Sequence, residues 1–229
     1  MIGIIPAAGH STRMYGLPKF LLPIADSYLL EHLQSRMHRT GAEHVYFGAR
    51  PVNYGMPALR PERINTYWVE TETMNETVLA ARQYAGKQDV LFGMPDTYWT
   101  DGYVYQRLAE VLNDSVDTIA SVGVWQTPDR YRGKRGMVRI GSNGRILEVV
   151  DKPTEFPELQ WMLSWGAISW DAEFWDYIKP EDAHVGFALQ RAIDDGQKVQ
   201  GVIMDGQFWD CGTPDEYFDC IRSLEKIKA

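Results

Sequence analysis

The chain has almost no cysteine. Cys211 and Cys220 are the only two in 229 residues, and a pair separated by eight residues is neither a zinc half-site nor a disulfide framework. Both read as reduced and incidental. Long apolar runs are missing as well. Without a stretch of about 18 apolar residues no membrane-spanning helix is expected, and the apolar start at Ile2 lacks the basic segment of a secretory signal. Cytoplasm is the expected compartment. Positive charge is also scarce: 23 Lys and Arg stand against 31 Asp and Glu, a net charge of −8. Such a surface does not supply the summed potential that nucleic acid or an anionic membrane requires, so any phosphate must be held locally. The five histidines have no metal-site spacing. Neither a Gly-x-Ser-x-Gly elbow nor a paired Cys and His motif points to covalent catalysis.

What is present is a folding chain. Hydrophobic residues make up 45% and charged residues 24%, with eight Trp and twelve Tyr, a composition that excludes disorder. No linker, repeat or charge block divides it, so residues 1–229 read as one domain. Through the first half, short β-rich runs alternate with helix-periodic ones. Ile2 to Ala7 is a buried strand. A helix over Tyr28 to Thr40 puts Leu29, Leu33 and Met37 on one face, and Val45 to Phe47 is the next strand. Then follow a strand from Ile64 to Val69, a helix from Met74 to Ala85, and a strand from Val90 to Gly93. A helix with Val104, Leu108, Val111 and Leu112 inward and a strand from Thr118 to Trp125 complete this part. That rhythm predicts a parallel sheet with crossover helices.

The middle changes character. Met137 to Ile140 and Arg145 to Val150 flank Ser142-Asn143-Gly144, whose Asn-Gly signals a β-hairpin. Trp161 to Trp170 reads as a strand, Phe187 to Asp194 as a helix with Leu189 and Ile193 inward, and Val199 to Met204 as a strand. Thr213-Pro214-Asp215-Glu216 combines a hydroxyl N-cap, proline at the first helical position and a capping-box Glu. The expected fold class is therefore α/β, a single Rossmann-like domain with a mixed, mostly parallel sheet and an inserted β-hairpin lobe.

The most informative segment comes after the first strand. Ala7-Ala8-Gly9-His10-Ser11-Thr12-Arg13 leads through a short spacer to Pro18-Lys19-Phe20-Leu21-Leu22-Pro23. Small residues let backbone N–H groups approach phosphate oxygens, and two cations neutralise charge that amides alone cannot carry. This is not a Walker A loop, because no Ser or Thr follows Lys19. Nor is it a dinucleotide fingerprint, because the next glycine after Gly9 is Gly16. His10 within the loop reads as a solvated histidine. The stretch resembles the signature loop of the nucleotidyltransferases that join NTPs to sugar phosphates and related small molecules. Four further segments resemble the same family, so the likeness spans nearly the whole chain.

In Phe92-Gly93-Met94-Pro95-Asp96-Thr97 a carboxylate lies just past a buried strand, where open α/β sheets bind ligands. The family carries a metal-binding Asp there. Trp209-Asp210-Cys211-Gly212-Thr213-Pro214 resembles the family's W-x-D-x-G-T-P, one residue shorter between Trp and Asp, and implies that Asp210 is the second ligand. Two carboxylates suit Mg²⁺, which completes its octahedron with water and phosphates. Asp151-Lys152-Pro153 resembles E-K-P, whose Lys holds the acceptor phosphate, with the shorter Asp151 in place of Glu. Gly136 and Gly166 resemble acceptor-pocket glycines. Glu70 and Asn75 fall where the family reads the base, but Glu70 replaces the usual Gln and a carboxylate can only accept hydrogen bonds.

The resemblance implies a Mg²⁺-dependent reaction of an NTP with a sugar 1-phosphate, giving an NDP-sugar and pyrophosphate. Ala7, Ala8, Gly9, Ser11, Thr12, Arg13, Lys19, Glu70 and Asn75 would bind the nucleotide, with Arg13, Lys19 and Lys152 active in transfer. Asp96 and Asp210 would bind metal, and Gly136, Asp151, Lys152 and Gly166 the acceptor. A cytidylyltransferase acting on phosphocholine or another small phosphorylated alcohol is the alternative acceptor reading, and Glu70 facing the base would favour cytosine. A glycosyltransferase of related fold would need an Asp-x-Asp that Met94-Pro95-Asp96 lacks, and a non-catalytic nucleotide-binding module would need neither Asp210 nor Lys152. The base, acceptor and oligomeric state stay open at this level.

Overall fold

The computed structural model describes residues 1–51, 65–131, 133–153 and 163–228. In chain order it contains β1 (Ile2–Ala7), the short strands β2 (Pro23–Ile24) and β3 (Ser27–Tyr28), α1 (Leu29–Arg39), β4 (His44–Ala49) and β5 (Asn65–Trp68). Next come α2 (Met74–Ala85), β6 (Val90–Gly93), β7 (Thr97–Trp99), α3 (Val104–Asp114), β8 (Thr118–Trp125), β9 (Gly136–Ile140) and β10 (Ile146–Asp151). The chain ends with β11 (Leu163–Trp170), α4 (Gly186–Asp194), β12 (Lys198–Ile203), β13 (Phe208–Asp210) and α5 (Pro214–Lys228). Of the sequence expectations, Ile64, Trp161 and Met162 lie outside the described residues.

The main sheet runs β12-β8-β11-β6-β1-β4-β5. β1 pairs in parallel with β4 and β6, β4 with β5, and β8 with β12. β11 is antiparallel to both β6 and β8, so those two run the same way. The C-terminal ends of β1, β4, β5 and β6 therefore share one edge, the edge at which such sheets bind ligands. The β9–β10 hairpin joins the sheet through Leu163 and Ser164 at the start of β11. Its turn closes through Gly144 N–H to the Gly141 carbonyl and Gly141 N–H to the Arg145 carbonyl, both 2.9 Å. Gly144 has φ +78°, a conformation that needs glycine.

Side chains of a strand alternate between faces, and each face here has its own core. Ile4 and Phe92 pack with Val78 and Ala81 of α2 and Leu189 of α4 on one side. Ile5 and Leu91 pack with Leu33 and Met37 of α1 and Leu108 of α3 on the other. The expected inward set of α3 is one residue off: Val111 is only partly buried, and Tyr105 and Ala109 are buried instead. α2 has a complete capping box, with Glu76 N–H on the Thr73 hydroxyl at 3.0 Å and Thr73 N–H on the Glu76 carboxylate at 3.2 Å. At α5 the box is altered: the Thr213 hydroxyl accepts from Glu216 N–H at 3.4 Å but also donates to the Glu216 carboxylate at 2.9 Å.

Two short pairings carry no sequence signal. β2 with β3, and β7 with β13, involve strands of two or three residues, too few to show a period. The second of them shapes the ligand edge, because it lays Asp210 opposite Thr97. It is fastened from below by aromatics: Trp99 against Trp125 with centroids 5.6 Å apart, and Trp125 stacked on Phe208 at 4.8 Å.

Gly93 ends β6 where a Cβ would overlap the Tyr105 hydroxyl, which donates to the Phe92 carbonyl at 3.3 Å. Gly93→Ala is expected to lower unfolding free energy by about 1–3 kcal/mol through overpacking. Adding Tyr105→Phe removes the atom in the way, so the double variant should be more stable than the sum of the single effects predicts. Urea unfolding of the four proteins measures this coupling, and strict additivity would contradict it.

Candidate active site

The loop after β1 is shaped by backbone conformation as much as by composition. Ser11 and Tyr15 both adopt left-handed φ (52° and 54°), and Gly16 follows at 81°. Between them Thr12–Met14 form a single 3₁₀ turn whose Met14 is buried as an anchor. A second such turn, Lys19–Leu21, is anchored by Phe20, which meets Phe47 edge-on at 4.8 Å. Anchoring Phe20 turns the neighbouring Lys19 toward the end of β6. Its Nζ donates to Asp96 Oδ2 at 2.9 Å. Both side chains are largely withdrawn from solvent, so their attraction is screened less than that of a surface ion pair.

Asp96 lies in a tight turn closed by Thr97, whose N–H and hydroxyl both donate to the Met94 carbonyl at 3.2 and 2.9 Å. Asp210 arrives from the other end of the chain. Cys211 N–H donates to the Asp96 carbonyl at 2.7 Å, one step beyond the β7–β13 ladder, while Gly212 N–H donates to Asp210 Oδ1 at 2.8 Å. Gly212 is the pivot. A Cβ there would lie 2.6 Å from Asp210 Oδ1, 3.4 Å from Asp96 Oδ2 and 3.5 Å from Arg13 Nη2. The space that a side chain would fill is thus bounded by two carboxylates and a guanidinium.

Electrostatics mark the same spot. The Asp210 carboxyl is pushed up to about 6, first by burial and then by the charges of Asp96 and Glu216, against the pull of Arg135 and the Gly212 N–H. Two carboxylates held this close raise each other's cost of ionisation unless a cation joins them. Among the described residues no three His, Cys, Asp or Glu side chains form a group able to hold a metal by themselves. The donor set is two carboxylates beside open space, which fits a hard cation that takes its remaining oxygens from water and phosphate.

A cleft of about 190 Å³ opens beside this group. Its walls include Ala7, Ala8, Gly9, Ser11, Arg13, Lys19 and Asp96 from the loop side, and Thr71, Glu72, Thr73, Met74 and Thr77 at the N-terminus of α2. A helix N-terminus favours negative charge. Arg50, at the end of β4, ties the two walls together by donating to the Ala8 carbonyl at 3.0 Å and the Thr71 carbonyl at 2.6 Å.

Not every expected residue reaches the cleft. Thr12 is exposed and opens the 3₁₀ turn without lining it. Glu70 is exposed and also outside the lining. Asn75 is fully buried and its amide donates to the Lys179 carbonyl at 3.0 Å, so it tethers α2 to the segment before α4. The cleft is lined by the residues just after Glu70 instead. Of the residues expected to bind the acceptor, Asp151 ends β10 opposite Gly136, and Lys152 follows with φ +45° and its N–H on the Arg135 carbonyl at 3.2 Å. Lys152 Nζ is 3.6 Å from Asp151. A Cβ at Gly136 would strike Trp165 Nε1, whereas one at Gly166 would strike the Phe208 ring, so Gly166 is glycine for packing on the opposite face.

Several residues of the site carry no motif signal. Arg50 and His184 stand in unremarkable stretches, and Arg135 precedes a glycine match without being part of it. Arg135 is nevertheless buried, its guanidinium 4.1 Å from the Tyr131 ring centroid and 5.1 Å from that of Phe208, with no partner for Nε or Nη2 among the described residues. Gly212 lies inside the Asp-x-Gly-Thr-Pro match.

Known proteins resemble this chain along its length. It is 21% identical to a UTP–glucose-1-phosphate uridylyltransferase of Haemophilus ducreyi, over 94% of this chain and 90% of that protein. Its fold matches a candidate glucose-1-phosphate thymidylyltransferase of Bacillus anthracis with a TM-score of 0.81, at 17% identity over 97% of this chain and 94% of the other. It matches the UTP-bound UGPase of Acinetobacter baumannii with a TM-score of 0.80, at 18% identity over 98% and 93%. The model of the MobA-like NTP transferase domain matches residues 3–140, which contain the phosphate loop, Lys19 and Asp96, and the chain belongs to that family.

Proposed function

We propose that this protein transfers the nucleotidyl group of an NTP to a sugar 1-phosphate, forming an NDP-sugar and releasing pyrophosphate. The observation that carries the reading is the convergence of Arg13, Lys19, Asp96 and Asp210 around Gly212, at the rim of a cleft walled by the phosphate loop and the α2 N-terminus. Relatives named for UTP and dTTP chemistry support a uracil or thymine base. Glu70, on which the cytosine reading depends, is exposed and outside the cleft lining, which favours the uracil or thymine reading. Among the described residues no helix is long and apolar enough to cross a membrane.

The chemistry needs positioning more than reactivity. An acceptor phosphate oxygen attacks the α-phosphorus as the bond to the bridging oxygen of pyrophosphate breaks on the opposite side, and negative charge spreads over the oxygens in between. Loop amides and Arg13 hold the triphosphate. Lys19, released from Asp96 by a phosphate competitor, neutralises charge on the leaving side. Lys152 aims the acceptor phosphate from the end of β10. Asp96 and Asp210 would hold Mg²⁺, which when bound supplies electrostatic stabilisation of the charged phosphoryl oxygens.

Pyrophosphate release measured with four NTPs and dTTP against sugar 1-phosphates and phosphocholine should be largest with UTP or dTTP and a sugar 1-phosphate, and chelation should stop it. No release from any pair would sink the proposal. Asp96→Asn and Asp210→Asn should each cut turnover by roughly 10²-fold or more. Asp210→Asn should meanwhile melt no lower than the wild type near neutral pH. The sign comes from its raised carboxyl: the folded state binds the proton more tightly than the unfolded one, so ionisation of Asp210 costs stability as pH climbs through about 6, and Asn removes that cost.

The two ends of the site should separate kinetically. Lys19→Ala is expected to impair NTP use, and Lys152→Ala to raise KM for the phosphorylated acceptor more than for NTP. Equal effects on both substrates would contradict the division. Gly212→Ala should abolish most activity with the fold retained, because its methyl occupies the space between the two carboxylates and Arg13; a near-native rate would show that this space is not used.

A further inference from the structure

Around Gly136 lie buried hydrogen-bond donors that have no acceptor among the described residues. Gly136 and Asp151 are opposite one another in the β9–β10 ladder, and residues so paired share a face of the sheet. Trp165 of β11 lies against the same glycine, its Nε1 2.3 Å from where a Cβ would be. His184, two residues before α4, completes the group. Its ring centroid is 6.0 Å from that of Trp165, and its Nε2 is 3.3 Å from Asp151 Oδ1.

The tautomer of His184 is set by its other nitrogen. Gly186 N–H donates to Nδ1 at 3.1 Å, so Nδ1 is an acceptor and Nε2 bears the proton. Burial lowers the imidazole's affinity for a second proton, against the pull of Asp151. Among the described residues the Nε2–H has no aligned acceptor, despite the nearness of Asp151 at 3.3 Å, and neither has Trp165 Nε1–H. Buried donors without partners are uncommon in folded proteins and call for a ligand, water or ion.

The location decides which ligand. Ala183, next to His184, accepts from Met74 N–H at 3.3 Å, and Pro180 accepts from the Thr73 hydroxyl at 2.6 Å. Thr73 and Met74 line the nucleotide cleft. The His184 segment is thus stitched to the helix bordering that cleft, while its imidazole faces the carboxylate beside Lys152. It sits between the nucleotide and the phosphate-aiming turn, where the body of the acceptor must lie.

We propose that His184 is a specificity-determining residue of the acceptor subsite: its Nε2–H donates to a ring hydroxyl of the acceptor, and the same hydroxyl donates to Asp151. An oxygen about 2.8 Å from each group satisfies both at their observed separation. A hydroxyl fits because it accepts and donates at once. A methylene would leave both partners unpaired, and the quaternary ammonium of phosphocholine offers neither a donor nor an acceptor. His184 also compensates for the short reach of Asp151, since the imidazole brings a second polar contact to the same hydroxyl. The inference rests on the nucleotidyltransferase reading and selects a polyhydroxylated acceptor within it.

The test uses the full chain, UTP and dTTP as donors, glucose 1-phosphate with its four monodeoxy analogues as acceptors, and phosphocholine as control. The wild type should lose about tenfold or more in kcat/KM with one monodeoxy analogue. His184→Leu should raise KM for the parent sugar phosphate by a similar factor with KM for NTP unchanged, and should use parent and that analogue alike. His184→Gln, whose amide N–H replaces Nε2–H, should recover most of the loss. Turnover with no penalised analogue, a penalty undiminished in His184→Leu, or phosphocholine used as well as the sugar would overturn the inference alone. The deoxy series on the wild type decides even if the Leu variant melts early. Absence of pyrophosphate from every pair would overturn the underlying reading and this inference with it.

Discussion

A single backbone hydrogen bond, from Cys211 N–H to the Asp96 carbonyl, governs the site. It adds one rung to the β7–β13 pairing, and that rung brings carboxylates from distant parts of the chain to the same glycine. Burial makes ionisation costly and the nearby Asp96 charge adds to that cost, which is why Asp210 holds its proton more tightly than an ordinary carboxyl. The ribbon survives this cost because it is fastened from below. Trp99, Trp125 and Phe208 form one aromatic stack under it, and such rings contribute large buried areas with defined geometry. Lys19 relieves part of the charge on Asp96. What the fold stores here is an arrangement of charge that favours an added cation and an anionic substrate.

The loop after β1, proposed to hold phosphate, solves a different problem. To keep amides accessible it must leave the strand without forming a helix, and it does so through left-handed residues at Ser11, Tyr15 and Gly16. Two of these are not glycine, so the loop carries backbone strain of the kind that persists only where the surroundings enforce it. Met14 and Phe20 enforce it by plugging into the core on either side, and Arg50 holds Ala8 from behind. Because Arg50 also holds Thr71, the loop and the base-side wall are positioned by one side chain.

The sheet separates the residues proposed for the two substrates. Gly166, Phe208 and the β7–β13 ribbon lie toward the face that carries α1 and α3, while Trp165, His184 and Asp151 lie toward the face that carries α2 and α4. Alternation along β11 sends Trp165 one way and its neighbour Gly166 the other. The two sides meet at the C-terminal edge of β1 and β6, where in the proposed reaction nucleotide and acceptor would approach one another across the end of the sheet.

Much of this was legible in the sequence. The alternating α/β rhythm, the hairpin at Asn143-Gly144 and the capping residues of α2 and α5 come from periodicity and local hydrogen bonding, which act over a few residues and leave a local trace. The phosphate loop and Asp-x-Gly-Thr-Pro were legible for the same reason, since backbone conformation there demands small residues in a set order. Contacts between distant segments leave no such trace. Nothing local says that Glu70 turns outward while Thr71 lines the cleft, that Asn75 is consumed by the Lys179 carbonyl, or that Gly166 is small to admit Phe208. Nor does a sequence announce that His184 meets Asp151, or that three-residue strands will pair. The sequence by itself determined the elements, their order and the loop chemistry. Tertiary structure alone decided which side chains share a space, because that depends on packing between segments whose separation along the chain carries no information about their distance in the fold.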